Sequence, residues 1–167
     1  IDKWDYSGGP DVWFDFEEPP SDETRTSVLT LQTLLATMLD SSSSIEFAIE
    51  TKHPTRYGKY VEESLMDLLR HFGLTRTRGG EPPRARVMSF SRVAVGRVSE
   101  LSPETPTVLL LEDVPRRMRD GSLPEGVRGV GPSIEIVRAH PHFVSKVHAR
   151  GGFVHVWTVD QKADVEL

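Results

Sequence analysis

The stretch Ile45-Glu46-Phe47-Ala48-Ile49-Glu50-Thr51-Lys52-His53-Pro54 decides how the chain folds. Strand side chains alternate between two faces, so Ile45, Phe47 and Ile49 share one side, and Glu46, Ala48, Glu50 and Lys52 the other. The apolar side suits a layer of helices. Pro54 closes the strand, because proline has no amide hydrogen to give a sheet ladder.

Reading outward gives a repeating order of elements. Upstream, Leu31, Leu34, Leu35, Met38 and Leu39 recur at helical spacing behind Thr30, whose hydroxyl suits an N-cap. Ser41 to Ser44 link this helix to the strand. Beyond a turn near Gly58, Val61, Leu65, Leu68, Leu69 and Phe72 predict a second helix with Gly73 at its C-terminal end. A basic segment rich in Gly and Pro, Thr75 to Arg86, leads to a strand, Val87-Met88-Ser89-Phe90. Ser91 then caps a helix carrying Val95, Val98 and Leu101. Thr107-Val108-Leu109-Leu110-Leu111 opens on β-branched residues and is otherwise apolar, as expected of a parallel strand covered on both faces.

A long loop from Glu112 to Gly126 precedes a short strand within Val127 to Pro132. Pro141 suits the first turn of a helix using Phe143, Val144 and Val147, closed by Gly151 and Gly152. Phe153 to Val159 predicts the last strand, and Asp160 can cap one more helix. Residues 1–28 mix Trp4, Tyr6, Trp13, Phe14 and Phe16 with Gly, Pro and acids, which predicts an irregular loop or insertion. Strands alternating with helices imply an α/β protein with a parallel sheet, either open and doubly wound or closed as a TIM barrel.

The totals narrow the function classes. A chain of 167 residues is one domain or part of one. The net charge of −5 excludes a broad nucleic-acid surface, which needs clustered Lys and Arg, yet a local positive group could hold a small anionic ligand. No apolar run is long enough to cross a bilayer as a helix, and no targeting segment is visible, so cytoplasm is the default location. The absence of cysteine rules out disulfides, thiolate metal sites and a Cys nucleophile. The chain opens on Ile1 rather than Met, and the expectation is a parent extended at both ends.

Chemistry concentrates at the end of the first strand. In a barrel, Glu50 and Lys52 would project together into the interior at the carboxyl end, where barrel active sites lie. A carboxylate there can bind a hard divalent cation, and an adjacent ammonium can face a phosphate oxygen. The plainer alternative is a structural or solvated Glu–Lys pair, which stabilises a fold by only ~0–1 kcal/mol. Alternation also puts Phe153, His155 and Trp157 on one face. Taken alone, Trp157 reads as readily as a core residue, and His155 as a hydrogen-bonded rim histidine.

The segment Phe47-Ala48-Ile49-Glu50-Thr51-Lys52-His53-Pro54 resembles the hydrophobic-Glu-x-Lys strand of glycerophosphodiester phosphodiesterases. Other pieces fall in that family's order. Leu29-Thr30-Leu31-Gln32 is similar to its Pro-Thr-Leu-Glu helix start, Val87 to Ser91 to its Ser-Phe strand, and Thr107 to Leu111 to its Leu-Leu strand. Val156-Trp157-Thr158-Val159-Asp160 is similar to its Trp-Thr-Val-Asn segment, with Asp160 in place of Asn. Each motif is modest alone; the ordered set, over about residues 29 to 165, is specific.

The resemblance implies a TIM (β/α)8 barrel, incomplete in these residues, with residues 1–28 leading into it and 29–167 forming the partial barrel. It implies metal-dependent hydrolysis of small-molecule glycerophosphodiesters to glycerol phosphate and an alcohol. Glu50 would be a metal ligand for Ca²⁺ or Mg²⁺. Lys52 would serve catalysis and phosphate binding, Trp157 would line the glycerol or leaving-group pocket, and Phe90 would form part of its wall. The family's His-Arg-Gly, Glu-x-Asp and His-Asp strands, which supply the catalytic histidines and two further acidic ligands, have no match here. A last barrel strand is expected beyond Leu167. Rival readings are a related phosphodiesterase acting on lysophospholipids or inositol-linked lipids, and a partial barrel serving as a non-catalytic interaction module.

Overall fold

A computed structural model describes residues 28–42, 44–54, 56–77 and 79–165. The irregular segment expected over residues 1–28 lies, except for Val28, outside the described residues. Five strands form one sheet: β1 (Phe47–Glu50), β2 (Ala85–Ser89), β3 (Thr107–Leu111), β4 (Gly129–Pro132) and β5 (Phe153–Val154). All neighbours are parallel, and their spatial order is their sequence order.

That order settles the choice left open above. A doubly wound sheet reverses its strand order partway and carries helices on both faces. An unreversed order with crossovers of one hand keeps every helix on one face and curls the sheet toward a barrel. The burial agrees. Phe47 and Ile49 of β1, Ala85 and Val87 of β2, Leu109 and Leu111 of β3, Val130 of β4 and Val154 of β5 all pack into the helix-side core.

The helices are α1 (Leu31–Ser41), α2 (Tyr60–His71), α3 (Arg92–Leu101), α4 (Ile134–Ala139), α5 (His142–Ala149) and α6 (Lys162–Val165). Thr30 and Ser91 cap α1 and α3, accepting from the amides of Thr33 and Ala94. Each satisfies a helix-end donor that would otherwise be left to water. Leu35 is the buried residue of α1, and a fully buried leucine stabilises by about 1.5–3 kcal/mol. The core divides into two linked clusters. One joins Leu35, Leu65, Met66 and Leu69 to the outer face of β1 and β2; the other joins Val95, Met118, Ile136, Phe143 and Val147 to β3 and β4.

The opposite face of the sheet is concave. By the pairing register it presents Ala48 and Glu50, then Arg86 and Met88, Val108 and Leu110, Gly129 and Gly131, and finally Phe153 and His155. The two glycines of β4 make room for bulkier neighbours. A Cβ on Gly129 would lie 2.6 Å from the Phe153 ring, and one on Gly131 would lie 2.5 Å from Leu110 Cδ2.

Three local expectations need correction. The six-residue α4, capped by Ser133, was not foreseen. The buried stripe of α2 runs through Glu62, Leu65, Met66 and Leu69, one step round from the stripe read in the sequence. The last strand is regular only over Phe153–Val154, although the amides of Phe153, His155 and Trp157 continue one side of the ladder by donating to Arg128, Val130 and Pro132.

Candidate active site

Glu50 ends β1 on the concave face, at the carboxyl end of the sheet. Lys52 follows on the same side, its Nζ 2.8 Å from Glu50 Oε1. The two groups are unlike in setting: the Lys52 side chain is 81% exposed and that of Glu50 24%. The closeness is that of an ion pair, yet the carboxylate oxygen, itself buried, receives no aligned hydrogen bond. Short distance without donor alignment describes an electrostatic contact rather than a satisfied carboxylate.

The backbone around this pair is fixed. Thr51 donates its amide to Met88 and accepts, at its carbonyl, a 2.8 Å bond from Ser89 Oγ. The side chain of Thr51 is buried, and its Oγ1 also has no hydrogen-bond partner among the described residues. The far side of the segment is held by His53, whose Nε2 lies 2.6 Å from Glu62 Oε1. Since a carboxylate only accepts, that ring nitrogen carries the proton. Arg97 of α3 reaches the other oxygen of Glu62 at 3.3 Å, and Glu62 has no exposed side-chain surface.

The aromatic residues form a second pair. Phe90, just past β2, meets Trp157 edge to face with ring centroids 5.4 Å apart. The ends of β2 and β5 are three strand spacings apart, roughly 14 Å in a flat sheet. Convergence of these rings is therefore what a concave face produces. Trp157 Nε1 donates to the Gly131 carbonyl at 2.6 Å, so its polar atom is occupied and only the ring surface remains for a ligand. Phe90 is 43% exposed. Register links the two pairs, because Glu50 sits beside Met88 and Phe90 lies two residues further along the same face.

His155 also faces inward and is half-buried. Burial pushes its pKa below the ordinary value, and the nearby Arg86 guanidinium adds to that. Arg86 itself pairs with Glu46 at the amino end of the sheet. The buried Glu62, with His53 and Arg97, was missed in the sequence; its spacing to Leu65, Met66 and Leu69 was the available signal.

Glu50 fits as one oxygen ligand of a hard cation: its buried oxygen has no aligned hydrogen bond, and the ammonium beside it belongs to the exposed side chain of Lys52. Such ions take six or more ligands, and no group of three His, Cys, Asp or Glu that could hold a metal occurs among the described residues.

Fold and site together define an α/β protein of barrel type with a carboxylate, a lysine and two aromatic rings at the carboxyl end of its strands. A family model for the glycerophosphoryl diester phosphodiesterase family matches residues 14–167, and the chain belongs to that family. It is 36% identical over 156 residues to the probable glycerophosphodiester phosphodiesterase 1 of Mycobacterium tuberculosis, covering 93% of this chain and 57% of that protein. With the glycerophosphodiester phosphodiesterase of Bacillus subtilis it shares 27% over 155 residues, covering 92% of this chain and 52% of that one.

The chain thus spans about half the length of the curated relatives it matches. Among solved structures, a glycerophosphodiester phosphodiesterase from Parabacteroides distasonis matches with a TM-score of 0.62 at 17% identity, covering 81% of this chain and 53% of that one. A phosphodiesterase of Oleispira antarctica, in complex with the product sn-glycerol-3-phosphate, matches with a TM-score of 0.61 at 15% identity, covering 81% and 51%. At these identities the structures speak for the fold.

Among the described residues no helix is long and apolar enough to cross a membrane.

Proposed function

We propose that this chain carries part of the active site of a glycerophosphodiester phosphodiesterase, which hydrolyses a glycerophosphodiester to glycerol phosphate and an alcohol. The observation that carries the reading is the Glu50–Lys52 pair at the carboxyl end of β1, with the Lys52 ammonium 2.8 Å from a buried oxygen of the Glu50 carboxylate. Residues 29–167 act as one unit in this reading.

Dependence on a divalent cation is general in the family. Glu50 would be one ligand for Ca²⁺ or Mg²⁺, with the others coming from outside the described residues, and the bound ion would polarise the phosphodiester. Lys52, exposed and tethered only to Glu50, would place its ammonium against a phosphate oxygen and stabilise charge developing there. The rings of Phe90 and Trp157 would wall the glycerol or leaving-group side and exclude water from it.

The activity needs the barrel strands that have no match in this chain, so the test is release of glycerol phosphate from a soluble glycerophosphodiester by the chain joined to those strands, with Ca²⁺ or Mg²⁺ present. Glu50→Gln should lower the rate by about 100-fold or more and weaken metal binding. An unchanged rate at saturating metal overturns the assignment. Exposed Tyr57, Tyr60 and Phe90 around the site favour a second reading, a lipid-linked diester as substrate. Assay on lysophospholipid dispersions against soluble diesters separates the two.

A further inference from the structure

A second cluster of basic residues lies in the helical layer, away from the residues discussed above. The loop after β3 carries Arg116, Arg117 and Arg119, and the junction between α4 and α5 carries His140 and His142. Between them opens a pocket of about 380 Å³ lined by Val114, Arg119, His140, His142, Phe143 and Lys146, together with Ala139 and Pro141. No acid lines it. In a chain whose net charge is −5, that is a local inversion of sign.

The backbone that carries these basic residues is held in place. Met118, almost wholly buried, anchors the loop in the core. The Lys146 ammonium donates to the Arg119 carbonyl at 3.2 Å. Arg150 donates to the Asp120 carbonyl at 2.9 Å and to Asp120 Oδ2 at 2.6 Å, which ties the carboxylate next to Arg119 to the end of α5. Gly121, at φ +85°, presses so closely on α5 that a Cβ there would lie 2.4 Å from the Lys146 carbonyl. Only glycine fits at that approach.

What this scaffold presents is unpaired. Among the described residues neither Arg119 nor Lys146 forms an ion pair with a carboxylate. The first turn of α5 has no side-chain cap, so the positive end of its dipole adds to the field. An arginine, a lysine and two histidines around a cavity with an apolar floor of Val114 and Phe143 suit a compact, multiply charged anion joined to a small organic group.

The geometry points to this pocket as a binding site for a phosphate monoester group, separate from the proposed catalytic residues. The group could belong to a soluble phosphate ester or to an anionic lipid headgroup, and both present the same oxygens.

The test needs no catalytic activity, so it stands or falls independently of the proposed hydrolysis. The full chain is titrated at low ionic strength with inorganic phosphate and with sn-glycerol 3-phosphate, following backbone amide signals by NMR. Saturable shifts at Arg119 and residues 140–146, with an affinity of about a millimolar, are the expected result. Arg119→Glu, whose parent side chain makes no hydrogen bond among the described residues, should weaken this binding about tenfold or more while leaving the spectrum otherwise native. Lys146→Gln should weaken it less.

Glu50→Gln should not change it. Sedimentation with vesicles containing phosphatidic acid, whose headgroup is a phosphate monoester, but not with phosphatidylcholine vesicles, lost in Arg119→Glu, would assign the group to a lipid. Binding of the soluble ester with no sedimentation would assign it to a soluble ligand. Shifts confined to the neighbourhood of Lys52, shifts at Arg119 that never saturate, or binding unaffected by Arg119→Glu would overturn the proposal.

Discussion

Glu50 and Glu62 belong to the same strand–helix unit and meet opposite fates. Glu62 is fully buried, and both of its oxygens are engaged, one by His53 and one by Arg97. Glu50 is part-exposed, and its buried oxygen has a lysine nearby but no aligned donor. A buried carboxylate persists only if its charge is compensated and its lone pairs are used. Glu62 meets that condition within the described residues. Glu50, with one electrostatic contact to the exposed Lys52, does not.

The comparison breaks most visibly in stability. Glu62→Ala removes a buried carboxylate from between His53 and Arg97 and leaves a cavity, and should cost about 3 kcal/mol, toward the lower end for breaking a buried pair because Arg97 reaches water. Glu50→Ala should cost within about 1 kcal/mol, since its partner is mostly solvated. Urea midpoints of the two variants measure the difference. Equal losses would mean that burial, not satisfaction, separates the two residues.

A smaller effect should come from the aromatic pair. Trp157→Phe leaves the Gly131 carbonyl without its indole donor and should cost about 1–2 kcal/mol. Phe90→Ala, at a more exposed position, should cost under about 1 kcal/mol. If Phe90 proves the costlier loss, the two rings form a core contact rather than a wall open to ligand. Lys52→Ala should scarcely move the midpoint, by ~0–1 kcal/mol, because its contact with Glu50 is not an aligned hydrogen bond.

What the sequence made legible follows from the range of each interaction. Thr107–Leu111 could be bounded to the residue because a strand covered on both faces leaves an unbroken apolar run. The caps Thr30 and Ser91 could be read because each bonds to an amide three residues away. Glu50 could be placed on the face opposite the helix-side core from alternation alone. The α4 helix escaped because six residues are too few to display a 3.6-residue period. Glu62 escaped because a glutamate in a first helical turn ordinarily faces water, and its partner Arg97 is brought to it only when α2 packs on α3. The basic pocket is of the same kind: its walls come from two loops that meet only in the folded chain.

The smallest prediction concerns His155, which tests whether the concave face is a buried interior or an open surface. Its pKa lies below the ordinary value near 6.5, first because burial disfavours the imidazolium and then because Arg86 repels it. The unfolded chain therefore binds this proton more readily than the folded one. Stability from this residue is complete above about pH 6.5 and falls away as pH drops through the lowered folded value. Asp120 and Glu135 have lowered values for the opposite reason, since hydrogen bonds hold their charged forms, and their contributions are lost only at more acid pH. Between those windows His155 acts alone among the residues with shifted values. His155→Gln should flatten the decline in urea midpoint just below pH 6.5 and leave the midpoint at pH 8 nearly unchanged. An identical decline in both proteins would mean that His155 is solvated, and that the inner face at β5 is open to water.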